Sequence, residues 1–193
     1  MKGPIVFVDI ETGGLQPYHP IIQIGAIAVD AWEEVGVFEA KIQFDKGKAD
    51  PKALEINHFS QDDWTHAIPA NVARGQFADF LNKHESVNQK SKRTGKNFKV
   101  ARLAGHNVQR FDGPRLRDAF KTAGTFFPAH PQTLDTLHLA LWYAHACGRL
   151  SDSYTLETLA QGFGIPTEGA HDALTDCRIT IAVAKRLLEL LAK

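Results

Sequence analysis

Two carboxylates separated by one residue, Asp9 and Glu11, end the first apolar run of the chain. Residues 5–8 before them are apolar and mostly β-branched, which predicts a strand buried on both faces. Because alternate residues of a strand share a face, the two carboxylates should lie side by side at its carboxyl end. Unpaired carboxylates there would repel each other and be costly to desolvate, and a hard divalent cation resolves both problems. This pattern predicts a metal site, but taken alone it also fits a strand end that runs into solvent.

Two further acids lie at predicted element boundaries. Asp112 starts a helix soon after the strand that ends near Gly105 and His106, so it too should lie at a strand's carboxyl end. The helix dipole alone also favours an acid at that position. Asp176 lies one turn inside the final helix, in an otherwise apolar segment, and His171 precedes it by five residues. An acid in such surroundings needs a partner.

Composition excludes several classes of protein. The chain has 193 residues, 44% of them hydrophobic and 23% charged, and we expect one domain over residues 1–193. Its formal net charge of zero means that nucleic-acid binding would have to be local. The two cysteines, Cys147 and Cys177, are too few for a disulfide framework or a zinc site, and we expect both to be buried in a reduced, cytoplasmic protein. No apolar run approaches about 18 residues and no signal peptide is evident, so we expect no membrane partner.

Apolar periodicity predicts an α/β fold, a mixed sheet covered by helices on both faces. The first three strands should form an antiparallel meander with 35–44 at the edge, and in such sheets sites form at the carboxyl ends of strands. Asp172 is the predicted N-cap of the last helix, whose apolar face includes Leu188 and Leu191. The first predicted strand begins at residue 5, and the others cover 21–29, 35–44, 100–105 and 133–135. The predicted helices cover 51–56, 70–81, 112–123, 137–147, 155–163 and 172–191.

A run of basic residues lies between Lys83 and Arg102, with Glu85 as its single acid. Its middle is polar and has no apolar period, which is typical of a solvated surface loop. The alternative is a basic flap that holds a phosphate backbone.

Three short motifs resemble, in order and spacing, those of the DEDDh (DnaQ-like) 3′→5′ exonucleases, which include polymerase proofreading subunits, ribonuclease T and oligoribonuclease. The resemblance covers about residues 4 to 185 and implies a ribonuclease H-like fold with a five-stranded mixed sheet. Position 172 is Asp, where the tyrosine version of the family has Tyr, so the chain looks like the histidine version. The matching residues are Asp9 with Glu11, Gly105-His106-Asn107 with Phe111 and Asp112, and His171 with Asp176.

The resemblance also implies roles for these side chains. Asp9, Glu11 and Asp176 would hold one Mg²⁺ or Mn²⁺, and Asp9 would bridge to a second ion near Asp112. His171 would be the general base. The implied reaction is hydrolysis of phosphodiester bonds at single-stranded 3′ ends of DNA or RNA, with release of nucleoside 5′-monophosphates. Two ions and an imidazole base suit this chemistry near neutral pH.

Five other residues match substrate contacts in relatives. Thr12, Gly14 and Leu15 would meet the terminal nucleotide through backbone amides and an apolar wedge, although Leu15 also fits an ordinary core leucine. Phe59 would stack on a base or pack in the core. Asn107 would place the strand end or the scissile nucleotide.

The sequence leaves several alternatives open. The chain could be an RNA-trimming exoribonuclease, since no residue announces a contact to a 2′-hydroxyl group. A non-catalytic nucleic-acid-binding module on the same fold is a further alternative, whereas the spacing of His171 and Asp176 argues against an enzyme that cuts internally. Homodimerisation is compatible with the sequence. Association with a polymerase is too, although the C-terminal tail typical of proofreading subunits is not evident.

Overall fold

A five-stranded sheet forms the centre of the protein, a computed structural model of which describes residues 3–148 and 150–192. The strands are β1 (Ile5–Thr12), β2 (Ile21–Asp30), β3 (Glu33–Lys41), β4 (Val87–Lys90), β5 (Asn97–Val100), β6 (Leu103–Gly105) and β7 (Leu134–Asp135). The α-helices are α1 (Pro51–Ile56), α2 (Ala70–Lys83), α3 (Asp112–Thr122), α4 (Thr136–Cys147), α5 (Leu156–Gly162) and α6 (Ala173–Leu191), and a short 3-10 helix covers Lys46–Lys48.

The strand order of the central sheet is β3-β2-β1-β6-β7. Strands β1, β2 and β3 form the predicted antiparallel meander, and β6 and β7 run parallel to β1. The observed edge strand ends at Lys41, three residues before the predicted end at Phe44. The predicted mixed sheet of five strands is confirmed.

Helices cover both faces of this sheet, as predicted. Even-numbered residues of β1, such as Val6 and Val8, pack with Phe77 of α2 and Leu116 of α3. Odd-numbered residues face the opposite way, where Phe7 packs with α6. Helices α4 and α5 pack in turn against α6. This parity decides which helix meets the carboxylates of β1.

Most of the basic run, predicted as a solvated surface loop, is exposed but forms an antiparallel hairpin of β4 and β5, so the prediction is wrong in its lack of regular structure. The positive φ of Gly95, 69°, belongs to the turn that lets the chain reverse. The strand predicted over 100–105 is also divided. Val100 ends β5 in the hairpin, whereas Leu103 begins β6 in the main sheet, because the chain leaves one sheet and enters the other between them.

The predicted burial of Cys147 is wrong, while that of Cys177 is confirmed. Cys147 is exposed because it lies in the last turn of α4, next to the left-handed Gly148 that ends the helix. Leu188 and Leu191 are exposed because the buried side of α6 passes through Leu187. Within the described residues, no helix is long and apolar enough to cross a membrane.

Candidate active site

The side chains of Asp9 and Glu11 share the face of β1 that is turned toward α6. They lie opposite Gly25 and Gln23 of β2, at the carboxyl end of the strand. Asp176, in the first turn of α6, meets them there, and one possible ligand atom from each of the three acids lies within 4.8 Å of the others. The structure therefore brings together three of the acids that the sequence singled out.

Gly25 allows α6 to approach the sheet this closely. A β-carbon at this position would lie 2.5 Å from the backbone carbon of Ala173, so any larger residue would push the start of α6 away. The Cys177 thiol donates a hydrogen bond to the carbonyl oxygen of Gly25 over 3.4 Å and fixes the same contact from the helix side. The position of Asp176 thus depends on the absence of a side chain on β2.

Asp172 fixes the start of α6 through its side chain. It accepts hydrogen bonds from the backbone N–H of Thr175 at 3.0 Å and from the Gln23 side chain at 2.8 Å. Burial opposes ionisation of Asp172, but these donors outweigh it and lower the pKa of the carboxyl group. The predicted cap is confirmed, and it connects α6 to β2 beside Glu11.

Asp112 reaches the site from the other side, at the start of α3. Its side chain is 3% exposed and accepts a hydrogen bond from the backbone N–H of Ile10 over 3.1 Å. On β1, only Val6 and Phe7 pair with β6, so the rest of β1 extends beyond its neighbour. There the Asp112 carboxylate, instead of a strand, accepts the hydrogen bond of the Ile10 N–H group. Asp112 is thereby held to the backbone between Asp9 and Glu11.

Burial raises the pKa of all four acids. For Glu11 and Asp112 the pKa reaches about 7, and repulsion from Asp176 adds to burial at Glu11, while the Ile10 N–H opposes it at Asp112. The pKa of Asp9 lies well above its ordinary value because of burial and repulsion from Asp112. Burial also raises the pKa of Asp176, although the His171 N–H partly offsets this. Close, buried carboxylates cannot all be ionised without a neighbouring positive charge. A hard divalent cation would supply that charge in place of bound protons.

His171 lies on an exposed segment just before α6. Its φ of 68° is in the left-handed region, and its backbone N–H donates to the Asp176 carboxylate over 3.3 Å. The side chain lines a cavity of about 490 Å³ together with Gln23 and His58, and the two imidazole rings are 6.2 Å apart. The histidine is thus tied by its backbone to the acidic cluster, while its ring faces open space.

The turn after β1 is fixed by its own hydrogen bonds. The Thr12 hydroxyl donates to the carbonyl oxygen of Gly14 over 2.9 Å, and the Asn57 side chain donates to the Thr12 carbonyl oxygen over 2.9 Å. Gly14 has a φ of 147°, and a β-carbon there would collide with the His19 ring. Leu15, in contrast, is 81% exposed, so the interpretation as a core leucine is wrong. The turn that follows the carboxylates in the chain therefore presents an exposed apolar side chain.

Phe59 and Asn107 are held by contacts within the protein. Phe59 is half-buried and packs against Phe44 and Trp64, with ring centroids 5.3 and 5.0 Å away, which agrees with the core alternative. Asn107 adopts a positive φ of 57°, and its backbone N–H donates to Asp135 over 2.9 Å. This bond fixes the turn that leads from β6 toward Asp112.

Arg115 is a site residue that sequence reasoning missed. Its guanidinium donates to three successive carbonyl oxygens of the turn after β1, with the shortest distance, 2.6 Å, to Leu15. It also lies 4.3 Å from the centre of the Phe111 ring. A sequence signal did exist, because a cation in the first turn of a helix opposes the usual preference set by the helix dipole. Arg115 ties the exposed Leu15 to the helix that carries Asp112.

Known proteins resemble this chain in sequence and in fold. Protein NEN4 of Arabidopsis thaliana is 29% identical over 188 residues, which cover 94% of this chain and 65% of NEN4. The crystal structure of E. coli exonuclease I with a dT13 oligonucleotide superposes with a TM-score of 0.74 at 22% identity, over 98% of this chain and 43% of that one. Cell-death related nuclease 4 superposes with a TM-score of 0.72 at 17% identity, over 97% and 64% of the two chains. The structural likeness confirms the ribonuclease H-like fold.

The chain spans less than two thirds of the length of each of these relatives. A family model, in contrast, matches this chain almost from end to end. The model of the RNase T family, described as exonuclease, matches residues 6–184 of the 193. This chain therefore belongs to the RNase T exonuclease family.

Proposed function

We propose that residues 1–193 act as one exonuclease domain of the DEDDh type. It hydrolyses single-stranded 3′ ends of nucleic acid in the 3′→5′ direction and releases nucleoside 5′-monophosphates. DNA is the first polymer to test, because the superposed exonuclease I was crystallised with a deoxyoligonucleotide. The observation that supports the proposal most directly is the joint position of Asp9, Glu11 and Asp176, whose ligand atoms lie within 4.8 Å of one another.

The acids would hold two divalent cations, Mg²⁺ or Mn²⁺. Asp9, Glu11 and Asp176 form the first ligand set, and Asp9 with the neighbouring Asp112 forms the second. When bound, the cations stabilise negative charge on the attacking and leaving oxygens. The Ile10 N–H fixes the Asp112 carboxylate, so this ligand does not have to reorient for the reaction.

His171 would accept the proton of the attacking water. Imidazole is the side chain that most readily takes up and releases a proton near neutral pH. As the water oxygen bonds to phosphorus, the bond from phosphorus to the 3′-oxygen of the preceding nucleotide breaks. That oxygen remains on the shortened strand, and the phosphate leaves on the 5′ side of the released nucleoside. The exposed ring of His171 can reach this water without being a metal ligand.

The turn after β1 would recognise the end of the strand. Leu15 projects freely from it and could wedge against the last base, while Thr12 and Gly14 shape the backbone around the terminal nucleotide. Asn107 would help to orient the scissile nucleotide from the turn before Asp112. Phe59, which is half-buried, would stack on a base only with the part of its ring that Phe44 and Trp64 leave uncovered.

The test is digestion of 5′-labelled single-stranded DNA and RNA of matched sequence with Mg²⁺, Mn²⁺ or EDTA. We expect a metal-dependent ladder that shortens from the 3′ end and is absent from the Asp9→Asn variant. Faster digestion of RNA would favour the exoribonuclease alternative. Failure to digest either polymer, in a protein that still binds Mn²⁺, would contradict the proposal and favour a non-catalytic binding module.

A further inference from the structure

The hairpin of β4 and β5 carries positive charge without a nearby acid in the sequence. Segment 86–102 contains no Asp or Glu. Among the described residues, Arg186 and Glu189 form the one ion pair whose nitrogen and oxygen atoms lie within 4.0 Å of each other. The described cations of the hairpin therefore have no acid at that distance. Uncompensated cations on one small element attract a polyanion. The basic residues of this segment are Lys90, Lys92, Arg93, Lys96, Lys99 and Arg102.

The tip of the hairpin, residues 91–96, is the part that a ligand can reach most easily. Lys92, Arg93 and Lys96 are all exposed there. Just below the tip, Phe98 of β5 meets Phe126 edge to face at 5.9 Å. These aromatic side chains are 37% and 66% exposed, so both rings offer apolar surface next to the cations of the tip.

Helix α3 connects this surface to the active site. It begins at Asp112, and the chain reaches Phe126 four residues after the helix ends. Eleven helical residues span about 16 Å, so the aromatic pair lies roughly one helix length from the acidic cluster. A strand that enters the active site by its 3′ end could therefore extend along α3 to the hairpin.

A groove follows this path. A cavity of about 560 Å³ beside α3 is lined at one end by Leu15 and at the other by Ala123. Arg74, Arg110 and Arg115 also line it, and Asp118 is the acid among the lining residues. The excess of positive charge suits a phosphate backbone, and the groove runs from the apolar wedge to the end of the helix.

We propose that the hairpin tip and the Phe98–Phe126 pair form a second contact for the single strand, on the 5′ side of the scissile bond. The cations of the tip hold phosphates, and the exposed rings stack on bases without regard to sequence. The inference rests on the proposed exonuclease function. An acidic protein partner could use the charge, but the cationic groove along α3, between the turn that carries Leu15 and the end of the helix, favours a strand.

The test compares two variants that lose equal charge. Lys92→Gln/Arg93→Gln alters the tip, and Arg178→Gln/Arg186→Gln alters exposed residues of α6 across the sheet. Each protein is titrated in EDTA with fluorescent dT oligonucleotides of about 4 and about 16 nucleotides, a range that matches site sizes in single-strand binding. Digestion of both oligonucleotides by the unaltered protein with Mg²⁺ is measured in parallel.

We expect the tip variant to bind the long oligonucleotide about tenfold more weakly than the α6 variant does at low salt. Its salt slope should fall by about 1.4, that is, about 0.7 for each of two lost phosphate contacts. The two variants should bind the short oligonucleotide with nearly equal affinity, because it cannot reach the tip.

Equal affinities of both variants for the long oligonucleotide would overturn the inference and leave the tip to a protein partner. An equal loss on the short oligonucleotide would also overturn it, because the effect would then not depend on reach. If the unaltered protein digests neither these oligonucleotides nor RNA of matched length with Mg²⁺, the proposed function fails, whatever the variants bind.

Discussion

The carboxylates and the histidine of the candidate site are positioned in opposite ways. Asp9, Glu11 and Asp112 lie on or against the central strand, where they are buried, and the Asp112 carboxylate is also held by a backbone hydrogen bond. His171 lies on an exposed segment with a positive φ, and the bond from its backbone to Asp176 ties it to the cluster. One region is rigid and electrostatically strained, and the other is open.

This difference separates two requirements of phosphodiester hydrolysis. Ligands for small hard cations must converge within a few ångströms, and a buried strand end achieves this at the expense of repulsion between carboxylates. A general base has to meet water and then return its proton to solvent, which an exposed residue can do. Variants of the two regions should therefore fail in different ways.

The largest effect is expected for Asp9→Asn. The substitution removes the carboxylate that is proposed to bridge both cations, so turnover should fall to background and the affinity for Mn²⁺ should drop. Asp79→Asn, an exposed acid on α2, is the matched control. Rate assays with a Mn²⁺ titration check this, and near-normal turnover of Asp9→Asn would rule out the proposed ligand set.

His171→Ala should reduce the rate by about 10²–10⁴ and leave Mn²⁺ affinity largely intact, because the imidazole acts on the water and not on the metal. The exposed His145 of α4 supplies a control, His145→Ala. Rates and Mn²⁺ titrations are compared for both variants. Parallel loss of metal binding and rate in His171→Ala would place this residue among the ligands.

Gly25→Ala tests whether the approach of α6 brings the two regions together. The new β-carbon would lie 2.5 Å from Ala173, so α6 must move and Asp176 with it. A displacement of about 1 Å can cost about 10² in rate, and metal affinity should fall too. Gly75→Ala, where nothing lies within 4 Å of the new methyl group, should keep both properties. Unchanged metal affinity in Gly25→Ala would contradict this role for the close approach.

Arg115→Ala should affect binding of the strand end more than chemistry. Loss of the contacts with the turn carbonyls leaves the backbone that carries Leu15 unanchored, so KM should rise about tenfold with a smaller change in kcat. Arg117→Ala on the same helix is the control, and Arg115→Lys should restore part of the loss, because all three contacts come from the single nitrogen Nη2. A selective fall in kcat would instead indicate that Arg115 acts through Asp112.

The smallest effect concerns stability of the metal-free protein. The pKa values of Glu11 and Asp112 rise to about 7 from ordinary values of 4.5 and 3.8. At pH values between the ordinary and the raised pKa, the folded state therefore binds more protons than the unfolded state. Stability of the metal-free protein should therefore fall as pH rises from about 4 to about 7 and then level off. For a protein of this size, each kcal/mol lost from the free energy of unfolding lowers Tm by about 2–4 °C. Thermal melts with EDTA or Mg²⁺ check this, and the gain from Mg²⁺ should be larger above pH 7 than at pH 5.

Local patterns in the sequence predicted the central elements well. The apolar run before Asp9 indicated a buried strand, and the two-residue spacing placed Glu11 on the same face. Asp172 could be recognised as a cap from its position before an amphipathic helix. The hairpin escaped prediction because each strand has only four residues, so the alternation of Phe98 and Val100 in β5 is too short to stand out, and pairing between backbones holds the strands together.

The sequence by itself determined which residues carry the chemistry and which faces of β1 and α6 they occupy, because strand and helix periods are local properties of the chain. Only the tertiary structure decided that these faces meet. Gly25 lets α6 approach β2, and Asp112 bonds to Ile10 across 102 residues of sequence. Arg115 reaches the turn that carries Leu15 in the same manner. Contacts between distant segments depend on how the elements pack, and no local pattern in the sequence records that packing.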